Sequence, residues 1–308
     1  MSDGHFADRL AEQIRRKGTA AMVGIDPRPE GLPKEVAGRF GGDREGLAGA
    51  VGAFGREVID VVATRVPAVK LQAAFYEALG PEGMAELHET ARYARRRGLI
   101  VVIDGKRNDI GTTAEAYARA YLGGEAAWDA DALTVNPYLG SDGIDPFVKA
   151  AAAAGNGLFV LVRTSNPSAG DFQDLEADGK PLYQHVADRL ADWAAPHRGE
   201  SGYSFMGAVV GATYPGQLAA LRAALPGVVF LVPGYGAQGG KAADVAAAFD
   251  EDGLGAVVNS SRGVTSAFER PDLKSLDWRR AIEAAVVEMI DDLAAHTPAG
   301  RLRAGGGR

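Results

Sequence analysis

The run Asp104-Gly-Lys106-Arg-Asn-Asp109-Ile-Gly-Thr-Thr113 gathers groups that could move a proton. Asp104 and Lys106 are two residues apart, so on a strand that continues outward they share one face. Asp109 follows on the loop. Opposite charge favours the charged form of a lysine held between carboxylates. Such an ammonium suits a proton donor better than a Schiff-base nucleophile. The same spacing also fits a salt-bridge cluster at a strand end. A cation site built from Asp104 and Asp109 is a third reading. It is the weaker one, because Lys106, and Lys70 if it converges, would compete with the metal.

Two further segments could hold an anion. Pro233-Gly-Tyr-Gly-Ala-Gln238-Gly239-Gly240 lies between an apolar run and a helical one. Glycines ahead of a helix N-terminus present backbone N–H groups to a phosphate. The segment contains Gly234-x-Gly236-x-x-Gly239, formally a dinucleotide fingerprint, but it follows the seventh predicted strand rather than the first. It lacks the Gly-Lys-Ser/Thr ending of a Walker A loop. A tight turn needing positive φ explains the glycines equally well. Asn259-Ser-Ser261-Arg262-Gly263 follows the eighth predicted strand, and Arg262 could grip a phosphate in a fork. His5, His88, His185, His197 and His296 lie away from these segments and read as helix or surface residues. Trp128, Trp193 and Trp278 read as packing residues.

These groups must be positioned by a scaffold, and its pattern is regular. Apolar, β-branched runs recur at 21–26, 68–72, 98–104, 132–137, 157–164, 206–213, 228–234 and 256–261. They are continuous rather than alternating, as in parallel strands buried on both faces. Amphipathic stretches separate them, at 44–65, 81–97, 113–127, 142–154, 180–198, 215–225 and 239–252. Several open on Pro, Ser, Thr or Asp, the residues that start helices. Eight strands alternating with helices predict an α/β chain, a single-domain (β/α)8 TIM barrel, with an open doubly wound sheet as the alternative. The predicted strands end in Asp26, Lys70, Asp104, Asn136, Thr164–Ser165, Thr213, Pro233–Gly234 and Ser260–Ser261–Arg262. In a parallel barrel those ends converge on the face that carries active sites, where loops after strands seven and eight often bind phosphate. The polar segment 165–181 is a long loop and a candidate lid.

Composition narrows the functions. The 308 residues include 33 Lys and Arg against 40 Asp and Glu, a net charge of −7. No basic surplus supports nucleic-acid binding. There are no cysteines, which excludes disulfides, thiolate zinc sites, iron–sulfur clusters and a cysteine nucleophile, and fits a cytoplasmic chain. No signal-like segment opens the sequence, and no run of about 18 apolar residues predicts a membrane span. The barrel is expected over residues 1–299, with 300–308 a disordered Gly/Arg tail.

Taken together, these motifs resemble the orotidine 5′-phosphate decarboxylases, specifically their longer bacterial (type 2) branch. The resemblance spans residues 20–265. It rests on Asp104-x-Lys106-x-x-Asp109-Ile110, Thr164-Ser165-Asn166-Pro167 and Val210-Gly-Ala-Thr213. Pro233 to Gly240, Asn259-Ser-Ser-Arg262, Gly24-Ile-Asp26-Pro27 and Val69-Lys70-Leu-Gln72 add to it. It implies a homodimeric, cytoplasmic carboxy-lyase that converts orotidine monophosphate to UMP and CO2 in pyrimidine biosynthesis, with no metal and no organic cofactor. It implies a catalytic network of Lys70, Asp104 and Lys106, joined by Asp109 from the partner subunit. Thr113 would also cross over, to the ribose, which Asp26 contacts. Ser165 would read the pyrimidine, and Gln238 would bridge pyrimidine and phosphate. Arg262 would hold the phosphate with the backbone of the two loops, around Pro233, Gly239 and Ser261.

Overall fold

The computed structural model describes residues 4–212, 215–236 and 240–304. Eight parallel strands close into a barrel: β1 (Ala21–Ile25), β2 (Ala68–Gln72), β3 (Ile100–Arg107), β4 (Ala132–Val135), β5 (Gly157–Arg163), β6 (Met206–Val210), β7 (Phe230–Val232) and β8 (Ala256–Ser260). Each pairs with the next, and β8 pairs with β1, Met22 standing beside Asn259. Every residue of β1, β4, β6, β7 and β8 is buried. That is why these runs are apolar without alternation: their outward side chains meet helices and their inward ones fill the barrel.

The longer helices are α1 (Phe6–Lys17), α2 (Arg44–Val62), α3 (Gly80–Arg96), α4 (Gly111–Leu122), α5 (Ser141–Ala154), α6 (Leu182–Ala194), α7 (Pro215–Ala224) and α8 (Trp278–His296). α2 shows how sequence sets one of them. The Asp43 carboxylate accepts the Gly46 N–H at 2.9 Å and starts the helix. Ala48, Val51, Gly55, Val58 and Val62 then bury one stripe against the barrel layer. Trp278, at the start of α8, packs on Phe54 of α2 with ring centroids 5.6 Å apart. α1 lies against the N-terminal end of the barrel. There Phe6 meets Phe159 edge-on at 5.9 Å, and Arg9 donates to the buried Asp131 at 2.6 Å.

Several expected boundaries move. The helix anticipated over 239–252 is only Ala242–Val245 followed by a 3-10 turn at Ala246–Ala248. The described backbone continues past residue 300, through a 3-10 turn at Pro298–Gly300 into a helical turn at Arg301–Ala304, and the rest of the expected tail, 305–308, lies outside the described residues. Leu302, 8% exposed, packs into the core and holds that turn. The 165–181 segment is also not an open loop. It contains a 3-10 turn (Pro167–Ala169), a helical turn (Gly170–Gln173) and a two-stranded ribbon pairing Glu176–Ala177 with Lys180–Pro181.

Candidate active site

At the C-terminal ends of the strands a cavity of about 830 Å3 opens; β2 to β8 contribute to its wall, and Asp26 joins them directly after β1. Among the predicted site residues, Asp26, Lys70, Asp104, Lys106, Ser165, Pro233, Ser261 and Arg262 line it. The volume lies within the usual range for a small-molecule site.

The floor is a chain of alternating charges. On β2, Lys70 and Gln72 face inward by the two-residue repeat, and the register sets Gln72 beside Asp104 of β3. Lys70 Nζ stands 3.1 Å from Asp104 Oδ2 and 3.6 Å from Asp26 Oδ1. Lys106 Nζ donates to Asp104 Oδ1 at 2.6 Å. Gln72 Nε2 donates to Asp104 Oδ2 at 3.0 Å, and the Thr134 hydroxyl donates to Asp104 Oδ1 at 2.8 Å. Lys70 and Asp104 are 5% and 8% exposed, while the side chain of Lys106 is 48% exposed at the cavity.

Burial and charge act in opposite directions here. Burial alone would push the Asp104 carboxyl up. The ammonium groups of Lys70 and Lys106, with the donors Lys106 and Thr134, outweigh it and hold Asp104 well below the usual carboxylate range. Burial alone would pull Lys70 down. The carboxylates of Asp104 and Asp26 outweigh it and hold Lys70 above the ordinary lysine value. Both partners therefore stay ionised at neutral pH.

Lys106 lies within β3, but not in the regular extended conformation that the two-residue spacing predicts. Its φ is +46°, and the pairing of β3 with β4 slips between Ile103 and Arg107. The side chain reaches Asp104 through this turn of the backbone rather than through strand alternation. Left-handed backbone at a residue with a side chain is uncommon and concentrates at functional sites.

The opposite wall is built from β5, β6, β7 and β8. Ser165 lies against Gly211: a Cβ there would sit 2.8 Å from the Ser165 Cβ, so only glycine lets the two loops close. Arg163 anchors the excursion behind Ser165. It donates to Gln217 at 2.9 Å, Gln173 at 3.1 Å and Asp174 at 3.1 Å. After β7 the chain turns at Gly234, whose φ of +99° is open to glycine. Gly236 N–H donates to the Gly240 carbonyl at 2.8 Å. Gln238, Gly239 and Thr213 lie outside the described residues. Asp26 Oδ1 and Asn259 Oδ1 are buried acceptors with no hydrogen-bond partner among the described residues, on two residues that line the cavity.

Other expectations resolve differently. Asn136 does not reach the cavity; its side chain accepts the Tyr138 N–H at 3.0 Å and starts a 3-10 turn. Thr134, two residues earlier, takes the inward place. Asp109 and Thr113 do not line the cavity of their own chain. The Asp109 carboxylate accepts the Ile110 N–H at 2.8 Å, and Thr113 is exposed on α4. Thr134 was not singled out by the sequence pattern, and Gln72 and Asn259 stood in quoted motifs without a role of their own. The two-residue repeat from Lys70 identifies Gln72, whereas nothing local separates Thr134 from other strand threonines.

The chain was compared with known proteins. The profile of the Orotidine 5'-phosphate decarboxylase / HUMPS family matches residues 53–272. A relative from Rhodopirellula baltica named orotidine 5'-phosphate decarboxylase is 49% identical over 297 residues, 94% of this chain and 98% of the relative. One of the same name from Caldicellulosiruptor bescii is 42% identical, over 86% of this chain and 90% of the relative. Among solved structures, the OMP decarboxylase of Leishmania donovani superposes with a TM-score of 0.74 at 32% identity, covering 94% of this chain and 98% of that one. A closed barrel with an alternating Lys–Asp–Lys floor and a profile match over most of its length place this chain in the orotidine 5′-phosphate decarboxylase / HUMPS family.

Proposed function

We propose that this chain decarboxylates orotidine 5′-phosphate to UMP and CO2. The observation that carries the reading is the order of charges Asp26, Lys70, Asp104, Lys106, which ends on an ammonium facing the cavity. Loss of CO2 from C6 leaves an electron pair on a vinylic carbon with no adjacent carbonyl to accept it. Lys106 stabilises that pair electrostatically, then transfers a proton from Nζ to C6 and recovers one from solvent. Lys70 holds Asp104 ionised, and Asp104 holds the Lys106 ammonium beside the reacting carbon. A substrate carboxylate near Asp104 and Asp109 is repelled before it leaves. The greater weight rests on stabilisation of the developing carbanion, because Lys106 meets that charge only as it forms. The reading calls for no metal and no organic cofactor, since Lys106 itself supplies the positive charge at the reacting carbon.

In this reading Asp26 contacts the ribose, which suits its buried Oδ1, ion-paired with Lys70 but without a hydrogen bond among the described residues. Ser165 reads the pyrimidine, Gln238 bridges pyrimidine and phosphate, and Arg262 with the backbone around Pro233, Gly239 and Ser261 holds the phosphate. Phosphate binding far from C6 supplies energy for closure of the 165–181 and 233–241 segments.

The working unit is a homodimer in which the partner subunit's Asp109 and Thr113 complete each site. Their absence from the cavity of their own chain supports this. So does the apolar surface beside Asp109: Ile110, Tyr138 and Leu139 are 55%, 79% and 43% exposed, and Gly143 lies against both Leu139 and the Asp109 carbonyl. No helix among the described residues is long and apolar enough to cross a membrane. A cytoplasmic location accords with the cysteine-free sequence.

The test follows the ultraviolet absorbance of orotidine 5′-phosphate with purified protein and excess EDTA. Conversion to UMP is expected, and Lys106→Ala should lower it by at least about 1,000-fold, the scale of losing a general acid and a charge stabiliser together. A requirement for added magnesium, or near-normal turnover by Lys106→Ala, sinks the mechanism.

A further inference from the structure

The Thr134 hydroxyl is used on both sides. It accepts the backbone N–H of Lys106 at 2.9 Å and donates to Asp104 Oδ1 at 2.8 Å. The same Asp104 oxygen accepts from Lys106 Nζ at 2.6 Å. Lys106 backbone, Thr134 hydroxyl, Asp104 carboxylate and Lys106 ammonium thus form one closed ring of contacts. Thr134 is 1% exposed and its residue lines the cavity.

The ring forms where β3 leaves its regular pairing with β4 and Lys106 takes φ +46°. An N–H that drops out of a strand ladder still needs an acceptor when water cannot reach it. At Lys106 that acceptor is a side chain, and the hydroxyl can accept there only while its own proton is directed elsewhere. The Asp104 carboxylate accepts that proton's hydrogen bond at 2.8 Å, a charge-assisted contact. The backbone conformation that aims Lys106 is therefore linked to Asp104 through one hydroxyl.

We propose that Thr134 is a positioning residue for the decarboxylation: it fixes the left-handed backbone of Lys106 and so the place of its ammonium. The proposal rests on the decarboxylase reading. It predicts an effect on the chemical step and not on nucleotide binding, because Thr134 acts on where Lys106 points.

The experiment compares Thr134→Val, which keeps shape and removes the hydroxyl, with Thr134→Ser, which keeps the hydroxyl. Turnover of orotidine 5′-phosphate and calorimetric binding of UMP are measured for both and for the wild type. Thr134→Val should lose at least about 10-fold in kcat, the scale of misplacing an electrostatic stabiliser, with UMP affinity within about 3-fold. Thr134→Ser should stay within about 3-fold in both. If Thr134→Val does not fold, Thr134→Cys, whose thiol is a weak donor and acceptor, takes its place in the same comparison. Wild-type kcat in the valine variant overturns the proposal. Equal loss in the serine variant does so too, since the hydroxyl would then not be the cause. A wild-type chain that binds UMP but turns nothing over overturns the decarboxylase reading itself, and the wild-type measurement alone distinguishes that failure.

Discussion

Asp104 holds the site together. Two ammonium groups, an amide and a hydroxyl converge on its two oxygens. Asp104→Asn keeps the shape and removes the charge, leaving the buried Lys70 with only Asp26 at 3.6 Å. Breaking one side of a buried pair costs on the order of 3–5 kcal/mol. Urea unfolding near pH 7 should show a loss of that size alongside loss of turnover. The pH dependence has a definite sign. Asp104 titrates below its unfolded value, so its contribution is present above about pH 4 and is lost as pH falls through the lower folded value. Lys70 titrates above its unfolded value, so its contribution is present below about pH 10 and is lost as pH rises further. The stability gap between wild type and Asp104→Asn should hold steady from about pH 5 to 9 and narrow in acid. A gap that is the same at pH 3 would mean that Asp104 is not held ionised.

At the scale of elements, the 165–181 excursion is coupled to the barrel through one guanidinium. Arg163 is 2% exposed, stacks over the Tyr183 ring at 5.4 Å and bonds Gln173 and Asp174 of the excursion and Gln217 of α7. Gln173 in turn accepts the Thr164 N–H at 3.0 Å, one residue before Ser165. Arg163→Met keeps length and burial but removes these bonds. Charge-assisted hydrogen bonds contribute about 1.5–3 kcal/mol each, so KM for orotidine 5′-phosphate should rise by about 10-fold or more, while kcat changes little. Limited proteolysis should cut the variant faster within 165–181. Unchanged KM with unchanged cleavage would mean that the excursion is held by other contacts. The sequence showed this segment as polar and long; the anchor was illegible, since Arg163 reaches both Gln173 within the segment and Gln217, 54 residues away, and only folding brings the three together.

At the scale of the whole molecule, the proposed dimer makes a prediction that no single chain can satisfy. Asp109→Ala and Lys106→Ala homodimers should both be inactive. After mixing and reassortment, half of the dimers carry one site with Lys106 from one chain and Asp109 from the other. Recovery of about one quarter of wild-type turnover is expected from that two-fold symmetry. Verified heterodimers with no recovery would place Asp109 outside the shared site. The same scale explains α1, which the strand count did not require, and α8, which follows β8 and completes the helix layer. α1 covers the end of the barrel opposite the cavity, and α8 packs on α2.

Much of this protein was legible in local chemistry. Eight continuous apolar runs specified parallel strands, because only strands buried on both faces dispense with polar residues. The two-residue period from Lys70 and the ends of β2 and β3 specified that Lys70 and Asp104 would point to one mouth. The charged run itself specified that Lys106 would stand near Asp104. What the sequence by itself did not determine is how these groups are held. Lys106 reaches Asp104 by a left-handed residue and a slip in pairing, which spacing cannot reveal. Thr134 rather than Asn136 supports it, because β4 ends at Val135 and the 3-10 turn at Pro137–Leu139 takes the Asn136 side chain as its cap. Those choices depend on residues 28 to 32 positions apart meeting across a closed sheet. Strand pairing and barrel closure bring them together, and only the tertiary structure supplies both.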